Sequence, residues 1–200
     1  MFRDTFETRF TYLNGFLRNV SRFGTRPALH DPLSGRRWTY RELNAEANRL
    51  AHALRADGVG KNDVVMFTLL NSPEFVFCYL AAHKIGAIAC PVNYRQGAGE
   101  IALVIDDSRP KAFFYDTEFG ELSGSALQLC EHKPQTVVMV DYKGGAAAPA
   151  GHKRYQDYVS MQPETDPPID FDPHIYDETT RLYTSGTTNR PKGVPINNVN

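Results

Sequence analysis

Residues Val64 to Val92 read V-V-M-F-T-L-L-N-S-P-E-F-V-F-C-Y-L-A-A-H-K-I-G-A-I-A-C-P-V. The stretch opens on Val64 to Leu70, which holds no charge and is rich in β-branched residues. A strand with one wet face would alternate; a continuous apolar run fits a strand covered on both faces. Asn71-Ser72-Pro73-Glu74 then has the chemistry of a helix start. Ser72 suits the N-cap, Pro73 the first helical position, where its missing N–H costs nothing, and Glu74 the positive helix end. The helix runs through Phe75, Tyr79 and Leu80 to Ile85, and Gly86 stops it. Ala87 to Val92 is a second buried strand. Strand, helix and strand in this order form a crossover unit with parallel strands.

The same alternation extends in both directions. Upstream, Thr39 and Glu42 form a capping box, each able to satisfy the other's backbone N–H. Leu43, Ala47, Leu50, Ala51 and Leu54 give that helix one apolar face, and Gly58 supplies its stop. Pro27 to Asp31 and Arg36 to Tyr40 read as two short strands around the turn Pro32-Leu33-Ser34-Gly35. Phe6, Phe10, Leu13, Leu17 and Val20 recur at helical spacing and predict one amphipathic helix, although Asn14-Gly15 inside it is a turn dipeptide. Downstream, Glu100 to Asp107 and Leu122 to Cys130 predict helices, and Ala112 to Tyr115 and Thr136 to Val140 predict strands. Tyr155 to Met161 predicts a short helix. Lys143 to Gly151 is a low-complexity surface loop, and Gln162 to His174, with its prolines, an irregular surface path. Thr179 to Thr184 is a last strand that needs a sheet to join. The fold class expected is α/β: a mainly parallel, doubly wound sheet with helices on both faces.

Composition narrows the function. Lys plus Arg number 22 and Asp plus Glu 23, a formal net charge of −1, which gives no global attraction to nucleic acid or to an anionic membrane. No apolar stretch approaches a membrane span, so no integral membrane segment is expected. Asp4 and Glu7 interrupt the amino terminus and argue against a secretory signal and against a mitochondrial presequence, although Arg3, Arg9, Arg18 and Arg22 leave the latter open. Cys78, Cys90 and Cys130 are widely spaced and odd in number, as expected of buried, reduced thiols in a cytoplasmic protein. The histidines show no ligand spacing, and no G-x-S-x-G accompanies Ser185. Asp106 and Asp107 read as a solvated helix end.

One segment carries chemistry. Tyr183 to Val194 reads Y-T-S-G-T-T-N-R-P-K-G-V. Gly186 has no Cβ, so a bulky anion can approach its backbone, and successive N–H groups in a tight turn form an anion nest. The hydroxyls of Ser185, Thr187 and Thr188 can donate to phosphate oxygens or ligate a metal. Lys192 adds a mobile cation, and Pro191 stiffens the approach to it. This is no Walker A loop, because the lysine precedes a glycine, and no G-x-G-x-x-G is present.

The segment resembles the phosphate-binding loop of the adenylate-forming superfamily, [YF]-T-S-G-T-T-G-x-P-K-G-V. Further segments are similar in the same order: W-T-Y-R-E-L from Trp38, N-S-P-E-F from Asn71 and H-K-I-G-A-I-A-C-P-V-N from His83. The resemblance spans essentially the whole chain and is most like the first part of an acyl-CoA synthetase. It implies that residues 1–200 are the N-terminal portion of an adenylation domain, cut just after the loop. It also implies that Thr184, Ser185, Gly186, Thr187, Thr188 and Lys192 hold the β- and γ-phosphates of ATP. A small-molecule carboxylic acid would be activated as its adenylate, with Mg²⁺ on the phosphates and coenzyme A as acceptor. No catalytic residue is expected within this stretch, the metal ligands are unassigned, and the chain alone is expected to be inactive. An amino-acid adenylation domain and a non-catalytic shortened remnant are the alternatives. A missing half-sheet would expose apolar surface, so self-association into a homo-oligomer is also expected. Two positions depart from the pattern: Asn189 stands where glycine is usual, and Asn198 where a histidine is common. Gly97-Ala98-Gly99 replaces a frequent T-P-E and leaves the helix at Glu100 without its usual cap.

Overall fold

A computed structural model describes residues 2–184 and 191–200. Two helices open the chain, α1 (Phe2–Arg9) and α2 (Tyr12–Phe23). The sequence predicts one continuous helix here, and the structure corrects this. Thr11 adopts an extended backbone and its side chain accepts from the Asn14 N–H, which restarts the helix. Asn14 also donates to the carbonyls of Thr8 and Arg9, so the N-G dipeptide seals the break between helices and forms no turn.

A small antiparallel pair follows, β1 (Pro27–His30) with β2 (Arg37–Thr39). Helix α3 (Tyr40–Ala56) starts on the expected box: Glu42 accepts from the Thr39 N–H at 2.7 Å, and Thr39 Oγ1 accepts from the Glu42 N–H at 3.3 Å. Then come β3 (Val64–Thr68), α4 (Pro73–Lys84), β4 (Ile88–Pro91), α5 (Ala98–Ser108), β5 (Ala112–Asp116), α6 (Gly120–Leu129) and β6 (Thr136–Val140). Ser72 occupies the N-cap of α4, but its hydroxyl makes no cap bond. At α5 half of a capping box survives: Glu100 accepts from the Gly97 N–H at 2.9 Å, and glycine has no side chain to return the bond.

The chain closes with β7 (Lys153–Arg154), α7 (Tyr155–Val159), β8 (Thr180–Thr184) and β9 (Lys192–Ile196). Among the described residues the main sheet has the order β7-β6-β5-β3-β4-β8-β9. All neighbours pair parallel except β8 and β9. From β3 the chain steps to β4 on one side, then crosses back over β3 to β5 on the other. The strand order therefore reverses between β3 and β5.

The core explains the uninterrupted apolar strands. Val65, Phe67 and Phe114 face one cluster with side chains of α3, α4 and α7. Val64, Met66 and Phe113 face a second cluster with α5 and α6. Successive strand residues point to opposite faces, so a strand covered twice must be apolar at every position.

Candidate functional site

Strand β8 runs parallel to β4, so its last residue, Thr184, lies at the carboxyl edge of the sheet. Open α/β sheets bind ligands at that edge. Strand β9 returns antiparallel, with Thr184 opposite Lys192 and Tyr183 opposite Gly193. Facing Cα atoms in such a pair lie about 4.5–5.5 Å apart. Thr184 and Lys192 therefore face each other across the two strands, one before and one after residues 185–190, and both are exposed. Ser185, Gly186, Thr187 and Thr188 lie outside the described residues, as do Asn189 and Arg190.

Side-chain contacts hold strands β8 and β9 in place. A Cβ on Gly193 would meet the Tyr183 ring at 3.1 Å, so the aromatic lies across the glycine. The Tyr183 hydroxyl donates to Asp107 Oδ2 at 2.5 Å, and burial together with this bond pushes the phenol upward. Asp107 is an exposed residue at the end of α5, as the sequence suggests, and it also ties α5 to β8. Arg181 holds Glu178 through two bonds, at 2.7 and 2.8 Å. The sequence does not announce the return strand β9, because Pro195 lies inside it. Proline in a sheet is confined to edges, and β9 is an edge. Asn198 also has work here: its Oδ1 accepts from the Tyr12 N–H at 2.7 Å and holds the start of α2.

His83 connects α4 to the start of β8. Its Nε2 lies 3.0 Å from the Thr179 carbonyl, which can only accept, so Nε2 carries the proton. Nδ1 is buried without a partner, and burial pushes the imidazole down to about 4. Its folded value lies below the unfolded value of about 6.5, so acid protonates the unfolded chain first. Stability is complete above about 6.5 and falls as pH drops toward the folded value. Urea titrations at pH ~7 and ~5.5 are expected to differ by about 1 kcal/mol more in the wild type than in His83→Gln. Equal pH slopes in the two proteins would remove His83 from this role.

Cys78, Cys90 and Cys130 are buried and unpaired, and burial pushes the Cys90 thiol up to about 12, so these thiols are packing residues. Among the described residues no group of three or more His, Cys, Asp or Glu side chains gathers to hold a metal. No described helix is long and apolar enough to cross a membrane.

Comparison with known proteins gives a consistent picture. The family model described as AMP-binding enzyme matches residues 16–200. The 3-hydroxybenzoate–CoA/4-hydroxybenzoate–CoA ligase of Thauera aromatica is 39% identical over 156 residues, which is 78% of this chain and 29% of the relative. A crotonobetaine/carnitine–CoA ligase of Escherichia coli is 34% identical over 186 residues, 89% of this chain and 34% of the relative. Among solved structures, the anthranilate CoA ligase AuaEII in complex with anthranoyl-AMP superposes with a TM-score of 0.85 at 27% identity, covering 96% of this chain and 35% of that one. The N-terminal domain of FACL13 from Mycobacterium tuberculosis gives 0.77 at 28% identity, covering 94% and 44%. The chain spans about a third of the length of the curated relatives it matches. This chain has the mainly parallel, doubly wound sheet expected from the sequence, and it superposes on these ligases.

Proposed function

The chain belongs to the AMP-binding enzyme family, and from that premise we propose that it supplies the phosphate-gripping turn of an enzyme that activates a carboxylic acid with ATP. In this reading the acid's carboxylate attacks the α-phosphorus, an oxygen–phosphorus bond forms, and the bond to pyrophosphate breaks. The thiol of coenzyme A would then lose its proton and attack the acyl carbon, forming the C–S bond as the C–O bond breaks and AMP leaves. Positioning and charge neutralisation dominate the first step, and those are what this chain offers.

The roles follow from residue chemistry. Thr184, Ser185, Thr187 and Thr188 donate hydroxyl hydrogen bonds to the β- and γ-phosphates, Gly186 lets the backbone come close, and Lys192 supplies the cation. Bound Mg²⁺ would neutralise phosphate charge, and the loop hydroxyls are the oxygen ligands available to reach it. The observation that supports the reading is the register of Thr184 against Lys192, which pairs a residue bearing a hydroxyl with one bearing an ammonium at the sheet's carboxyl edge.

Titration calorimetry of this chain with ATP and with inorganic tripolyphosphate tests the grip. Lys192→Ala is expected to weaken both by about tenfold, the loss of one charge-assisted contact. Unchanged affinity for both would sink the role of Lys192. For a longer protein carrying this chain, exchange of labelled pyrophosphate into ATP should depend on an added carboxylic acid. Aryl acids are the first to try, because hydroxybenzoate and anthranilate appear in the names of the relatives. Exchange driven by amino acids alone would instead favour the amino-acid adenylation reading.

A further inference from the structure

A crevice of about 270 Å³ opens at the carboxyl ends of β3, β5 and β6, on the far side of β4 from the phosphate turn. It sits where the strand order reverses between β3 and β5, the position at which sheets of this type leave room for a ligand because the flanking connections diverge. Two of its walls carry polar atoms with no partner. Asp116 is 1% exposed; its Oδ1 accepts from the Glu118 N–H at 2.9 Å, while Oδ2 is buried and unpaired. Ser72 is 6% exposed, and its Oγ is likewise unpaired, since it does not cap α4. Buried polar atoms without partners cost free energy, and two of them, both on residues that line one crevice, mark a place where a donor would be stabilised.

The remaining wall defines what the donor is attached to. Leu33 and Leu70 are apolar, and the Tyr142 hydroxyl is occupied by donation to Asp31. The charges are Asp116, Glu118 and Lys143, and Lys143 is already paired with Glu118. One carboxylate is thus left over. We propose that this crevice is a second small-molecule site, which takes a primary ammonium on a compact apolar body, with the ammonium donating to Asp116 Oδ2 and Ser72 Oγ and the body lying against Leu33 and Leu70. The site is independent of the phosphate reading: it shares no residue with the turn at Thr184 to Lys192. A carboxylate ligand is excluded by the surplus negative charge, and a neutral alcohol of the same shape satisfies the hydrogen bonds without the charge.

Benzylammonium, benzyl alcohol and benzoate test this on the chain, followed by amide shifts in a ¹⁵N-labelled sample. The Glu118 and Ser72 amides report on the crevice. Benzylammonium should shift them saturably, benzyl alcohol more weakly, and benzoate not at all. Asp116→Asn keeps the shape and removes the charge. It is expected to weaken benzylammonium by about tenfold and to leave benzyl alcohol within about twofold. Leu33 is 82% exposed, so Leu33→Arg leaves the core untouched while placing a cation at the mouth, and it should weaken benzylammonium as well. Shifts confined to other surfaces, or no saturable response, would show that the crevice takes no such ligand, and equal binding of benzoate would show that the Asp116 charge selects nothing; each overturns the assignment.

Discussion

Replacing Phe67 by alanine is expected to remove about 3–5 kcal/mol of folding stability. Phe67 is fully buried in β3, whose neighbours are β4 on one side and β5 on the other. Its ring packs edge-on against Phe75 at 5.0 Å and Tyr79 at 5.2 Å, both on α4. Truncation deletes the transfer free energy of the ring and leaves a cavity that a central strand, fixed by hydrogen bonds on two sides, cannot close. Domains are stable by only about 5–15 kcal/mol, so the loss is a large share. Urea unfolding should show a lower midpoint at unchanged slope. Phe10→Ala is the control: Phe10 is exposed, and the change should stay within about 0.5 kcal/mol. A loss below about 1 kcal/mol for Phe67→Ala would mean that α4 does not pack on β3 as described.

The same residue shows why much of the fold is legible in the sequence. Val64 to Thr68 is buried at every position because helices cover both faces, and that demand leaves an unbroken apolar run. The capping box at Thr39 and Glu42 is equally readable, since all its partners lie within one turn. What escapes is whatever depends on distant partners. The break at Thr11 depends on Asn14 reaching back to Thr8 and Arg9. Strand β9 carries a proline and an exposed face, and only its pairing with β8 makes it a strand. For the site, the hydroxyl-rich string announces its chemistry because its groups are contiguous. Asp107 gives no sign that it anchors Tyr183, 76 residues away. The crevice at β3, β5 and β6 is invisible for the same reason: Leu33, Ser72, Asp116 and Lys143 meet only through strand order.

Removing Asp166 should cost more than removing the lysine it pairs with. Lys84, on α4, is 2% exposed, and its Nζ donates to Asp166 Oδ1 at 2.7 Å. Asn44 donates to the same carboxylate oxygen, and Asn48 to the Glu164 carbonyl, so α3 and α4 together bind the irregular segment 162–174. Burial pushes the Lys84 ammonium down; for Asp166, burial pushes up but the bond from Lys84 prevails and holds it low. Asp166→Ala leaves a buried cation without its counter-charge. Breaking a fully buried pair costs about 3–5 kcal/mol. The side chain of Asp166 is 59% exposed, so water screens part of the interaction and about 2–3 kcal/mol is expected. Lys84→Met replaces the stem with an apolar chain of similar length and removes the charge, so it should be near neutral, and the double variant should recover most of the Asp166→Ala loss. Alkaline pH supplies the second arm. The folded Lys84 releases its proton below the unfolded value of about 10.4, so between the two values the unfolded chain binds more protons and stability rises with pH. The deficit of Asp166→Ala should therefore shrink as pH climbs toward about 10. A deficit independent of pH, or a double variant as unstable as Asp166→Ala alone, would mean that the penalty lies in segment 162–174 losing other contacts and not in the uncompensated ammonium.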